Sequence, residues 1–150
     1  MDTLQLENAI RQDACLSALK HTGVLAGDEL SKIKMPGAYI VNTDPSHLGG
    51  EHWLALFIDR HRQIKIFDSL GEAPKHYPWL KKYLKGRHYS HNVKRWQAPG
   101  KNTCGRFCLF YLFHKCRGWS LNDFTDFYWR SDLNENEKLV QHFVKHCFSS

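Results

Sequence analysis

The stretch Cys104 to Cys116 (CGRFCLFYLFHKC) leaves a chain of this kind few options. Phe107, Cys108, Leu109, Phe110, Tyr111, Leu112 and Phe113 follow one another, so a helix built on them is apolar nearly all round. Such a helix cannot lie on a surface; it has to be central, with other elements covering it. Gly118 supplies its stop. At its head stand Cys104 and Gly105, and Gln97 lies seven residues before the cysteine. The remaining chain is read as whatever wraps this helix and whatever it brings to Cys104.

With 150 residues, 42% of them hydrophobic and 24% charged, a single domain (1–150) is expected, with enough apolar side chains for a real core. No apolar run reaches the length of a membrane span, and no charged-then-apolar leader opens the chain, so neither a membrane protein nor classical secretion is expected. The five cysteines, at 15, 104, 108, 116 and 147, are odd in number and scattered. They do not read as a disulfide framework, and a reducing intracellular compartment is the expectation. The ten histidines show no zinc spacing, and no metal is expected. Net charge is +6, with Lys81, Lys82, Lys85, Arg87, Lys94, Arg95, Lys101 and Arg106 clustered mid-chain. That cluster fits a nucleic-acid or acidic partner and fits a solvated face equally well.

Residues 3–20 carry leucine, isoleucine and alanine on a helical period, broken near Asp13. The stretch 22–37 reads mostly as loop, and Ala38–Val41 as a short strand. Asn42–Gly50 is a loop full of turn formers. His52–Ile58, apolar on both faces, reads as an interior strand, and Gln63–Asp68 alternates. Those two strands form a hairpin whose register follows from pairing Asp59 with Gln63. Ile58 then faces Ile64, Leu56 faces Ile66, Leu54 faces Asp68, and His52 falls on the same face as Asp68. The side-chain period of two makes this a matter of parity: an odd loop joins His52 to Asp68, an even loop parts them. Beyond it, a short helix spans Trp79–Lys85 with Trp79, Leu80, Tyr83 and Leu84 inward, and His88–Trp96 reads as a basic, partly exposed strand. Ser120 opens a short helix to Trp129 with a capping box. Asn134 caps a last one, whose apolar face is Leu139, Val140, Phe143, Val144 and Cys147.

The chemistry centres on Cys104. A cysteine attacks as its thiolate, and a helix N-terminus and a neighbouring histidine both favour that form. His52 is placed to take the proton, and Asp68 to fix its tautomer. The backbone N–H of Cys104 and the side-chain amide of Gln97 are the donors for a developing oxyanion. Gly105 lets a substrate backbone or a neighbouring strand come close. Each residue alone also has an ordinary reading. A cysteine on an apolar helix is usually a small buried hydrophobe, a histidine beside Trp53 usually structural, Asp68 could cap the turn at Ser69, and Gln97 could be plain loop.

Taken together, Gly49-Gly50-Glu51-His52-Trp53, Phe67-Asp68-Ser69-Leu70-Gly71, Gln97 and Cys104-Gly105-Arg106-Phe107-Cys108 resemble the adenovirus protease (adenain) family. More broadly, they resemble its relatives, the SUMO/ubiquitin-like proteases. Ile40-Val41-Asn42-Thr43 and the seven-residue step from Gln97 to Cys104 lean towards the adenoviral branch. The resemblance covers roughly residues 36–116. It implies an α+β fold in which a mixed central sheet packs on a buried helix carrying the nucleophile at its N-terminus. It also implies Cys104 as nucleophile, His52 as base, Asp68 as third member, Gln97 as oxyanion donor and Trp53 as a wall of the substrate cleft. Asp replaces the Glu of many adenovirus proteases here, and the chain is shorter than theirs.

The resemblance further implies a monomeric cysteine endopeptidase that cuts precursor proteins of a virion after glycine, acting in the virion and the host-cell nucleus. No cofactor is required by the sequence. Activation by DNA, with Lys81, Lys82, Lys85, Arg87, Lys94 and Arg95 as its contacts, and by a viral peptide are implied. No cysteine lies between Asp68 and Cys104, so a peptide activator would be non-covalent. Two other readings stand beside this one: a deubiquitinase or deSUMOylase with the same site, and a catalytically inactive basic module that binds nucleic acid.

Overall fold

The structure, a computed structural model, describes residues 1–44 and 52–148. The apolar stretch is a helix from end to end. It is labelled α4 (Cys104–Cys116), and Cys104, Gly105, Phe107–Leu112 and His114 are buried in it. Before it in sequence come α1 (Thr3–Gln12), α2 (Ala14–Ser17) and α3 (Pro78–Leu84); after it come α5 (Leu121–Tyr128) and α6 (Leu133–Cys147). Five strands, β1 (Thr22–Leu25), β2 (Gly37–Asn42), β3 (Trp53–Ile58), β4 (Ile64–Phe67) and β5 (Tyr89–His91), lie side by side in sequence order. β2, β3 and β4 are antiparallel, while β1 joins β2 and β5 joins β4 in parallel. The sheet is mixed and the fold α+β, as expected.

Alternation along the strands divides the sheet into two buried faces. Ala38, Ile40, Ala55 and Phe67 point to the layer of α1, α4, α5 and α6. Tyr39, Val41, Leu54, Leu56, Ile58, Ile64 and Ile66 point the other way, where Leu30, Leu80 and Leu84 cover them. The α4 layer is aromatic: Phe67 stacks on Tyr111 at 4.8 Å, and Trp96, Phe110 and Phe124 meet in edge, tilted and stacked pairs. His114 belongs to that cluster. Its Nδ1 bonds Phe110 O at 2.8 Å and its Nε2 bonds the Tyr128 hydroxyl at 2.7 Å, which marks it as structural.

The hairpin has the expected register, with Ile58 opposite Ile64 and Leu56 opposite Ile66. Asp59 N–H donates to Gln63 O at 3.2 Å, and Arg62 closes the turn at φ 62°. The Asp59 carboxylate accepts from the His61 and Gln63 amides and so fixes the odd loop. The N-terminal helix breaks at Asp13, whose side chain caps α2 by accepting from Leu16 N–H.

Other expectations are corrected. The stretch 22–37, expected as loop, holds β1 and a 3₁₀ turn at Gly27–Lys32. Trp79 is 41% exposed rather than inward. Only Tyr89–His91 of the expected strand His88–Trp96 pairs, and Trp96 leaves the sheet to enter the core. The Ser120 hydroxyl accepts from Asp123 N–H, but the box is half made because position three is an aspartate. Asp132, not Asn134, caps α6, and Cys147 at its far end is exposed. Cys15 and Cys116 form a disulfide joining α2 to the end of α4, so the scattered cysteines do contain a pair. The loop expected over 42–50 lies largely outside the described residues, as do Gly49, Gly50 and Glu51.

Candidate active site

β3 begins and β4 ends at the same edge of the hairpin, and the residues just beyond those ends meet. His52 Nε2 lies 2.7 Å from Asp68 Oδ1, both side chains buried. The parity read from the loop therefore brings the two together. Asp68 is held from all sides. Leu70 N–H donates to Oδ1 at 2.8 Å and the Tyr77 hydroxyl donates to Oδ2 at 2.6 Å. Its backbone is clamped by Asn92, which accepts from Asp68 N–H at 2.8 Å and donates to Asp68 O at 2.7 Å. Asp68 thus caps its own turn and orients His52 at once.

With Nε2 committed to Asp68, His52 has its other ring nitrogen left for Cys104, whose thiolate also favours the imidazolium. Burial pushes the imidazole towards neutrality, yet the bonds to Asp68 and Cys104 outweigh it and raise its pKa to about 9. Cys104 sits at the first position of α4, 3% exposed. Burial pushes its thiol up; the His52 bond and the backbone N–H groups of Trp53 and Gly105 outweigh that and hold the pKa below the ordinary value. The pair is arranged as thiolate and imidazolium. Cys108, one turn on and fully buried, is the opposite case: burial raises its thiol well above the ordinary range.

Gln97 lies on the loop leading to α4, 5% exposed. Its Oε1 accepts from the Ser69 hydroxyl at 2.6 Å, and its Nε2 donates to Lys101 O at 2.6 Å. A primary amide carries two N–H bonds, so one remains to be offered to a reacting group. Ser69 O also accepts from Trp96 N–H and Gln97 N–H at 2.8 and 2.9 Å, tying this loop to the end of β4. Gly71 allows the approach: at φ +72°, a Cβ there would sit 2.9 Å from Arg95 N.

Trp53 and Gly105 are neighbours, the indole 3.6 Å from where a Gly105 Cβ would stand. That space also faces Leu6 Cδ2 at 3.2 Å and Met1. The close approach that Gly105 permits on this side is thus made by Leu6 of α1, Met1 and the indole.

The basic residues do not form one group. Lys82, Lys85 and Arg87, with Arg62, Trp79 and Tyr83, line a surface groove of about 870 Å³ on the α3 side, and Lys81 lies beside it. None of the four site residues lines that groove. Lys94 stacks over Trp129 at 4.0 Å, and Arg95 Nε donates to Gln97 O at 2.8 Å. Among the described residues no cluster of His, Cys, Asp or Glu is arranged to hold a metal, and no helix is long and apolar enough to cross a membrane.

Tyr77, Asn92 and Ser69 had no assigned role in the sequence reading. Asn92 stands 24 residues from its partner and Ser69 stands 28 from Gln97, separations that leave no local signal. Tyr77 had a faint one, an aromatic hydroxyl just before the Pro78 that opens α3.

No family model matches the chain. It is 35% identical over 103 residues to a protease of Bovine adenovirus 7, covering 56% of this chain and 48% of that one. It is 33% identical over 111 residues to a protease of Bovine adenovirus 4, covering 63% and 55%. The chain spans about half the length of the curated relatives it matches. In structure it resembles the SUMO protease Ulp1, with a TM-score of 0.56 at 13% identity over 99% of this chain and 79% of that one. It also resembles the ASFV pS273R protease, with a TM-score of 0.54 at 19% identity over 89% and 64%. In sequence the chain is thus similar to adenovirus proteases over part of their length, and in fold to these two proteases.

Proposed function

We propose that the chain is a cysteine endopeptidase of the adenain type. The observation that carries the reading is the line Cys104–His52–Asp68, in which a buried thiol is held below its ordinary pKa by a histidine bonded to a buried carboxylate. In the reaction, the Cys104 thiolate attacks the scissile carbonyl carbon. The oxyanion forms between the Cys104 N–H and the free N–H of Gln97. The C–N bond breaks as the His52 imidazolium gives its proton to the leaving amine, leaving a thioester on Cys104. Water then attacks the thioester, gives its proton to His52, and releases the acid and the thiolate.

Substrates on this reading are precursor proteins of a viral or virus-like particle, cut after glycine, and the enzyme works as a monomer in the virion and the host-cell nucleus. DNA acting on the basic α3 groove, and a non-covalent peptide, are its proposed activators. The sequence similarity to adenovirus proteases favours this over a deubiquitinase or deSUMOylase, which draws support from fold neighbours of low identity alone. The His52–Asp68 contact beside Cys104 weighs against an inactive nucleic-acid module.

The test is hydrolysis of a fluorogenic peptide ending in Gly-Gly, beside ubiquitin and SUMO conjugates, with and without duplex DNA. Cys104→Ala is expected to abolish turnover while melting like the wild type. Full activity in that variant would sink the mechanism, and faster cleavage of conjugates than of the peptide would favour the second reading.

A further inference from the structure

We propose that Glu137 is a positioning residue for this site: its carboxylate on α6 sets the spacing between the oxyanion donor Gln97 and the nucleophile Cys104. This rests on the roles proposed above for those two residues. Glu137 is 4% exposed on a helix whose neighbouring positions pack against the core. One of its oxygens, Oε2, accepts from Ala98 N–H at 2.9 Å and from the Thr103 hydroxyl at 3.0 Å. Ala98 follows Gln97, and Thr103 precedes Cys104. A single oxygen therefore staples the two feet of the loop, one beside each functional residue.

Between the feet the loop is exposed, from Pro99 to Asn102, and turns at Gly100 with φ +76°. Its feet depend on what they bond to, and α6 supplies it. Asn136 adds a further hold, donating from Nδ2 to Trp96 O at 3.3 Å on the other side of Gln97.

The placement is costly. Glu137 Oε1 is buried with no hydrogen-bond partner among the described residues, while Oε2 satisfies two buried donors that an apolar side chain would leave unpaired. The staple also acts on the helix end. Thr103 is the N-cap of α4, where a threonine oxygen ordinarily accepts an N–H of the first turn. Here it makes no such bond and donates to Glu137 instead. The intrahelical ladder starts with Phe107 N–H on Thr103 O, so the side chain does not compete for the Cys104 end of the helix.

The experiment compares kcat and KM on the Gly-Gly fluorogenic peptide for Glu137→Ala, Glu137→Gln, Thr103→Val, Gln97→Ala and the double variant Gln97→Ala/Glu137→Ala. Thermal melts and the rate of Cys104 alkylation by iodoacetamide are recorded alongside. For Glu137→Ala, kcat should fall about tenfold or more, with KM and alkylation within about threefold of wild type, because the loss falls on oxyanion stabilisation. Thr103→Val, which removes one arm of the staple, should lose several-fold. Glu137→Gln should recover most of the rate, since its carbonyl accepts the same two bonds. In the Gln97→Ala background, removing Glu137 should cost no more than about twofold further, as expected when two residues act through one interaction. A folded Glu137→Ala or Thr103→Val with wild-type kcat overturns the proposal, as do losses that multiply in the double variant. If Glu137→Ala does not fold, Thr103→Val and Glu137→Gln decide alone. Activity retained in Cys104→Ala removes the underlying functional reading; an inactive Cys104→Ala beside fully active Glu137 variants removes only this proposal.

Discussion

Replacing Asp68 by Asn removes one charge and little else. The Asn carbonyl can still accept from Leu70 N–H, and its amide can face the Tyr77 oxygen, so the turn after β4 keeps its bonds. What is lost is the carboxylate that holds His52 at a pKa of about 9 against burial. With that charge gone, burial is opposed by Cys104 alone, and the imidazole falls from about 9 towards its ordinary range. A fall of about two pKa units is about 3 kcal/mol, or about a hundredfold in the stability of the imidazolium. The sign follows from the pair. In the wild type, Cys104 stays ionised at pH values below the ordinary thiol range, and His52 stays protonated until about pH 9. The window between those limits is where the ion pair stands. In Asp68→Asn the acid limit moves up and the alkaline limit moves down, so the window closes from both sides. The assay is iodoacetamide alkylation of Cys104 from pH 5 to 10, with Cys147 removed, followed by turnover at pH 7. The variant should alkylate like an ordinary thiol and turn over about a hundredfold more slowly, with an unchanged melting profile. An alkylation profile that superimposes on the wild type, with turnover within threefold, would refute the reasoning.

Two further outcomes follow from burial and contact. Iodoacetamide on the folded protein at pH 7 should label Cys104 and the exposed Cys147 but spare Cys108 until denaturant is added, which peptide mass mapping reads directly. Gly105→Val should destabilise the fold by about 1–3 kcal/mol, read from denaturant midpoints, because its branches meet Leu6, Met1 and the Trp53 indole. The same variant should slow turnover by pushing Trp53, whose backbone N–H serves the Cys104 sulfur.

The parts of the fold that were legible share one property: the signal was local. Seven apolar residues in a row announced α4, and the five residues 59–63 between β3 and β4 fixed a register that a single shift would have inverted. The illegible parts are those whose cause lies elsewhere in the chain. Thr22–Leu25 is a strand because β2 pairs with it in parallel; Thr22 and Val24 favour a strand, but four residues interrupted by Gly23 and set among further turn formers make too short a signal. Trp96 looked like the end of a strand and is a core residue, drawn in by Phe67 and Phe124. Cys15 and Cys116 stand 101 residues apart, and nothing in either neighbourhood announces the other.

The site divides along the same line. Its chemistry was legible because reactive side chains declare themselves by type, and their order along the chain matched a known arrangement. Its support was not, because the supporting groups are mostly common polar residues or backbone. The activation of Cys104 shows the consequence. From the sequence, the helix N-terminus and a histidine share the credit for stabilising the thiolate. In the structure, burial works against the thiolate, and the His52 bond is the first thing to oppose it, followed by the N–H of Trp53 and only later by that of Gly105 at the helix itself. The helix end therefore does not act alone. The start of β3 contributes as well, so the hairpin both delivers the base and supplies a backbone donor to the nucleophile. A change that shifts β3 by a fraction of an ångström relative to α4 would strike both at once, which makes the packing of Leu6, Trp53 and Gly105 between those elements part of the chemistry.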